Sequence, residues 1–304
     1  MRKALLCAGI LLAGILTVIL AGCGAPCCED NQPAPAGVPP RIAFASDRAG
    51  NLDIYSMAYN GTDVKRLTVS PDNELSPAWS PDHLRLTYQR YQGGHWVIWV
   101  MNADGTGKRQ LSSGPEDTHP CWSQDGTRIA FSRGADAASG LYSVNSTTGS
   151  GLKQLTSGYD DSHPCWGPGN KIVFHRRPFL SQSGDLAIYN AVTRTVTKLP
   201  NTMDLTEPAW SNDGTKIACV AVPPGGSSPR VYVINANGYG RMKLTSAGDG
   251  DSSPCWSPNR ATILFARSLA PQWDLFTVQV TTRAVTRLTT NAATDEHPAW
   301  AWPH

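Results

Sequence analysis

The chain has 304 residues, of which 26 are Lys or Arg and 24 are Asp or Glu. Two of the basic residues, Arg2 and Lys3, stand at the N-terminus ahead of an apolar stretch, and without them the remainder balances 24 against 24. A neutral chain lacks the basic footprint that drives binding to a phosphate backbone, which excludes nucleic acid as a default partner.

In chain order, Arg2 and Lys3 lead into an apolar run from Ala4 to Leu20, followed by Leu20-Ala21-Gly22-Cys23. Residues 1–22 resemble a bacterial lipoprotein signal peptide with its lipobox, and that resemblance implies lipidation at Cys23. An uncleaved membrane anchor is the competing reading, because about 20 apolar residues can span a bilayer. Small residues before a cysteine favour the lipobox. Residues 23–40, rich in Pro, Ala and Gly, read as a lipidated, flexible tether. Its Cys27 and Cys28 are open to further acylation, to oxidation or to neither. Gly24 stands where an aspartate would resemble an inner-membrane retention signal, so the outer membrane is expected in a two-membrane cell.

From residue 41 onward the chain repeats. It opens with Ile42-Ala43-Phe44, then Asp53-Ile54-Tyr55, an Asn60-Gly61 turn and Arg66-Leu67-Thr68. Next comes Pro77-Ala78-Trp79, and the tripeptide returns at Pro120-Cys121-Trp122, Pro164-Cys165-Trp166, Pro208-Ala209-Trp210, Pro254-Cys255-Trp256 and Pro298-Ala299-Trp300. The tryptophans lie 43, 44, 44, 46 and 44 residues apart, a period that marks stacked or radial repeats. Turn residues such as Ser123-Gln124-Asp125-Gly126 follow each tryptophan and suit a hairpin. An apolar run such as Ile129-Ala130-Phe131, a third run such as Leu141-Tyr142, and a closing basic-Leu-Thr segment such as Lys243-Leu244-Thr245 complete the unit. Each unit reads as four short strands with no helical period.

Four antiparallel strands every forty-odd residues make a propeller blade. The first unit starts at its second strand, and the last stops just after its Pro-x-Trp strand. The C-terminal strand therefore completes the N-terminal blade and closes an all-β, six-bladed β-propeller over 41–304, removing exposed edges. The unit D-x-x-P-x-W-S-x-D-G, apolar strand, I-Y, N-x-D-G, R-L-T resembles the TolB-like β-propeller repeat. That family's N-terminal α/β domain has no counterpart here; the short tether stands in its place, which argues against a Tol–Pal role.

Of eight cysteines, Cys121, Cys165 and Cys255 alternate with Ala78, Ala209 and Ala299 at one repeat position. That equivalence predicts a small buried residue beneath a neighbouring blade's tryptophan instead of a disulfide. Cys219 stands at an aromatic position and is expected in the core. No C-x-x-C pair points to zinc or redox chemistry.

The segment before each proline holds the candidate site. Three residues upstream lie Glu74, Asp117, Asp161, Asp251 and Asp295, with Asp204 one place further back in the fourth copy. Immediately before proline lie Ser76, His119, His163, Glu207, Ser253 and His297. On an innermost strand these positions would ring one mouth of the central channel. Imidazole with carboxylate could hold zinc or manganese, with His119, His163 and His297 as possible ligands. Against this, an Asp before a proline commonly caps its turn through nearby backbone N–H groups. Trp96, beside His95 after Gly93-Gly94, is the tryptophan expected to be exposed. No G-x-S-x-G elbow or Ser/His/Asp set appears. The expectation is a monomeric, non-enzymatic, cofactor-free module of the cell envelope, lipid-anchored on the extracytoplasmic side, binding an envelope protein or glycan. A metal-dependent polysaccharide lyase or hydrolase, using the histidine trio, is the alternative.

Overall fold

The computed structural model describes residues 41–134, 138–246 and 250–301. The signal peptide, Cys23, the tether with Cys27 and Cys28, and residues 302–304 lie outside the described residues.

The described strands form six four-stranded antiparallel sheets. Blade 1 is composite: its innermost strand is Asp295–Trp300, followed outward by Arg41–Ser46, Asp53–Ala58 and Lys65–Arg66. Blades 2 to 6 are continuous and span 74–110, 117–154, 160–198, 206–243 and 251–287. Ile42 pairs with Trp300 and Ser46 with Asp295, so the two ends of the chain close the ring. Each innermost strand also contacts the innermost strands of both neighbouring blades.

The recurring residues now have physical roles. The serine after the Pro-x-Trp strand accepts an N–H from across the hairpin and donates to the turn aspartate. Ser123 Oγ, for example, accepts from Arg128 N at 2.9 Å and reaches Asp125 at 2.6 Å, and Ser211 with Asp213 repeats this. The expected basic-Leu-Thr strand is shorter than read: only the basic pair Lys65–Arg66 is strand, and Leu67-Thr68 folds inward. Its threonine is a latch. Thr68 Oγ1 accepts the Ile54 N–H at 2.8 Å, and Ser112, Thr156, Thr202, Thr245 and Thr289 take the same N–H in the other blades.

Between blades, each tryptophan packs on the small residue of the blade before it. Trp122 shares a cluster with Ala78, Trp166 with Cys121, Trp210 with Cys165 and Trp256 with Ala209. Trp300 with Cys255 and Trp79 with Ala299 complete the circle. Cys121, Cys165, Cys219 and Cys255 are free thiols, and Cys219 is buried in the core as expected. Large buried aromatics dominate such interfaces.

Candidate channel site

The six residues before proline share one unusual conformation. Ser76, His119, His163, Glu207, Ser253 and His297 have φ of +51°, +52°, +53°, +51°, +51° and +50°. Left-handed backbone is costly for a side chain, about 1–2 kcal/mol per residue. It persists here because each sits in a β-bulge, where the innermost strand carries one extra residue against its partner. The bulge turns these side chains into the channel. With five of the six prolines they line a cavity of about 160 Å³.

Around the ring, from blade 1 to blade 6, the cavity meets His297, Ser76, His119, His163, Glu207 and Ser253. The His119 and His163 rings lie 3.8 Å apart, centroid to centroid. Gln89 Oε1 accepts the His119 backbone N–H at 2.8 Å, and Glu207 Oε2 accepts that of Ser253 in the next blade. The imidazoles keep a little accessible surface, and protein surrounds them otherwise. Burial therefore holds all three below the usual imidazole range, with His163 down to about 4. Mutual repulsion adds to this for His119 and His163, whereas Glu207 pulls His297 back up. Burial pushes the Glu207 carboxyl up, against its Ser253 hydrogen bond and His297.

The acids three residues before each proline do not join this lining. Asp117 is held by both ends of the Arg133 fork at 2.6 and 2.8 Å, and Asp161 by Arg176 at 2.8 and 2.7 Å. Asp251 takes Arg267 in the same way, and Asp295 takes Arg48 and Asn291. These aspartates are buried, and their arginines lie over core aromatics, as Arg133 does over Tyr142 at 4.6 Å. Among the described residues, Asp117 alone of these accepts a turn-capping backbone N–H, from Gly114. Glu74 is the exception: Arg90 forks onto Asp72 and comes no nearer than 3.9 Å, and burial pushes Glu74 up to about 7. Asp204 is exposed, on the link between blades 4 and 5.

Among the described residues, no group of three or more His, Cys, Asp or Glu side chains is arranged to hold a metal ion. Trp96 is partly buried, edge-on to Tyr91 at 5.3 Å, on the hairpin that Gly93-Gly94 turns. Sequence reasoning missed Gln89, which carries no repeat signal. It also missed an apolar arc. Connections into the innermost strands, and those between second and third strands, lie on the face where the innermost strands begin. On that face Tyr159, Phe179, Leu180, Met203 and Val222 are exposed over blades 4 and 5. The Asp204 N–H donates to Gly184 O at 2.9 Å, fastening the Met203 segment to the loop carrying Phe179 and Leu180.

The family model described as TolB beta propeller domain matches residues 29–203. A protein TolB homolog of Chlorobium luteolum is 32% identical over 93 residues, 30% of this chain and 21% of that protein. A Tol-Pal system protein TolB of Syntrophus aciditrophicus is 31% identical over 77 residues, 24% and 17% respectively. These matches thus span about a fifth of the relatives' length. Among solved structures, TolB from Acinetobacter baumannii superposes with a TM-score of 0.75 at 24% identity, covering 86% of this chain and 66% of that one. An oligogalacturonate lyase in complex with manganese superposes less well, with a TM-score of 0.51 at 15% identity over 83% and 73%. Both structural likenesses concern the fold alone. With over half its length matched by the family model, the chain belongs to the TolB beta propeller domain family.

Proposed function

We propose that this chain is a non-enzymatic binding module of the cell envelope, docking a protein partner on the face where the innermost strands begin. The observation that carries the reading is the apolar arc of Phe179, Leu180, Met203 and Val222. It adjoins the channel cavity, because Met203 lies on the segment leading to Glu207, and Val222 follows the strand that pairs with it. Exposed apolar side chains rimming a concave site suit a polypeptide better than a glycan. Family membership and the relatives' designation as Tol-Pal system proteins support an envelope partner. The lyase alternative needs a metal, and the described residues offer it no group of three ligands.

We assign the membrane tether to acylation at Cys23, on the extracytoplasmic side and in the outer membrane of a two-membrane cell. Arg41, where the described chain starts, lies at the opposite end of the ring from the arc, beside Trp300 and Ala301.

Crosslinked recovery from native membranes tests the docking reading. Phe179→Ser with Leu180→Ser, Met203→Ser and Val222→Ser should reduce the recovered partner at least tenfold. The control Leu152→Ser with Val192→Ser and Tyr239→Ser alters exposed side chains on the other face and should leave recovery unchanged. Equal loss from both variants would overturn it. For the anchor, Cys23→Ser should release the protein from membranes.

A further inference from the structure

The cavity's polar atoms show a pattern that the docking role alone does not require. In His119, His163 and His297 the Nδ1 atom is buried and has no hydrogen-bond partner. For His297 the neighbouring Glu296 Oε1 is 3.7 Å away, beyond hydrogen-bond reach. A buried N–H left unpaired is costlier than a buried lone pair, so each neutral ring keeps its proton on Nε2. Since Nδ1 is shut off, the ring edge left to line the cavity carries that Nε2–H. Three donors therefore face the space.

Glu207 supplies the opposite polarity. Its Oε2 is taken by the Ser253 N–H, and its other oxygen has no hydrogen-bond partner among the described residues. Ser76, Ser253 and five proline rings complete the lining, and no Lys or Arg lines the cavity. Such a site disfavours net charge. A cation would meet three N–H donors, and an anion would meet the Glu207 carboxyl. A group carrying an acceptor beside a donor satisfies both sets at once.

We propose that the cavity is a receptor for a neutral carboxamide, the Asn or Gln side chain of the docked partner. The carbonyl oxygen accepts from the imidazole Nε2–H groups, and the amide N–H donates to Glu207 Oε1. This rests on the docking reading above and names the residue type that enters the channel.

The test uses the full chain labelled with ¹³C,¹⁵N-histidine, whose ring shifts distinguish the two neutral tautomers. Single His→Asn variants assign the signals. At pH 7.5 the expected result is the Nε2–H form at His119, His163 and His297. Acetamide should shift these signals saturably, while equal concentrations of acetate or methylammonium should not. Glu207→Gln should weaken acetamide about tenfold, because with its amide oxygen kept on the Ser253 N–H it turns an NH2, a donor only, towards the ligand's amide N–H. The Nδ1–H form at these rings would overturn the proposal. So would a stronger response to methylammonium or acetate, or none to any probe. The docking reading fails separately, by recovery that ignores the apolar arc, so the two failures are distinguishable.

Discussion

At the residue scale, the channel histidines link fold to pH. Their folded pKa values lie below the ordinary 6.5, at about 4 for His163. Above pH 6.5 both states are neutral there, and the histidines contribute no pH dependence. Between pH 6.5 and 4 the unfolded chain binds protons that the folded one refuses, so stability falls as pH falls. Glu74, raised to about 7, and Glu207 and Glu296, also raised, act in the opposite sense. Their contribution is present below about 4.5 and is lost as pH rises through the folded values. Replacing the trio, His119→Asn with His163→Asn and His297→Asn, keeps a residue type that tolerates left-handed backbone. The variant should gain Tm relative to the parent at pH 5 compared with pH 7.5, and an equal difference at both would refute the assignment. A second residue-scale test lies at Gly167, where four other blades carry serine and blade 1 carries Ala301. A Cβ there would stand 2.4 Å from Trp210 Cδ1. Gly167→Ala should cost about 1–3 kcal/mol in denaturant unfolding.

At the element scale, blade 5 is a natural double substitution. Where blade 3 pairs Asp117 with Arg133, blade 5 places Leu205 beside Ala221, both buried in one cluster. Removing one member of a buried ion pair costs about 3–5 kcal/mol, whereas an apolar pair of suitable volume can be neutral. Asp117→Ala should therefore destabilise by about that amount, and Asp117→Leu with Arg133→Ala should recover most of it. A double variant as unstable as the single would contradict this. The same comparison shows what the sequence conveys. The Asp recurs in step with the turn, but its arginine lies some 15 residues away at a position without a fixed motif. Periodicity alone could not distinguish a clamp from a channel lining. The tryptophan ladder was legible because its partner, Ala or Cys, varies at a single repeat position. Left-handed backbone before each proline was not, because Ser, His and Glu share no chemistry that announces it.

At the scale of the whole molecule, ring closure was readable from which strand each end lacks, and Ile42 pairing with Trp300 realises it. The docking face was not readable, because its apolar residues sit in loops of differing length and register. Closure brings those loops to one face of the ring, and Arg41, the first described residue, lies at the opposite end. The central claim is that this face, and not the other, meets the partner. Photo-crosslinking in intact cells tests it most directly, with p-benzoylphenylalanine at Leu180 in one strain and at Tyr239 in another. The account predicts a discrete protein adduct from position 180, lost when Met203 and Val222 are changed to Ser, and none from position 239. An adduct from position 239 alone, or equal adducts from both, would contradict it.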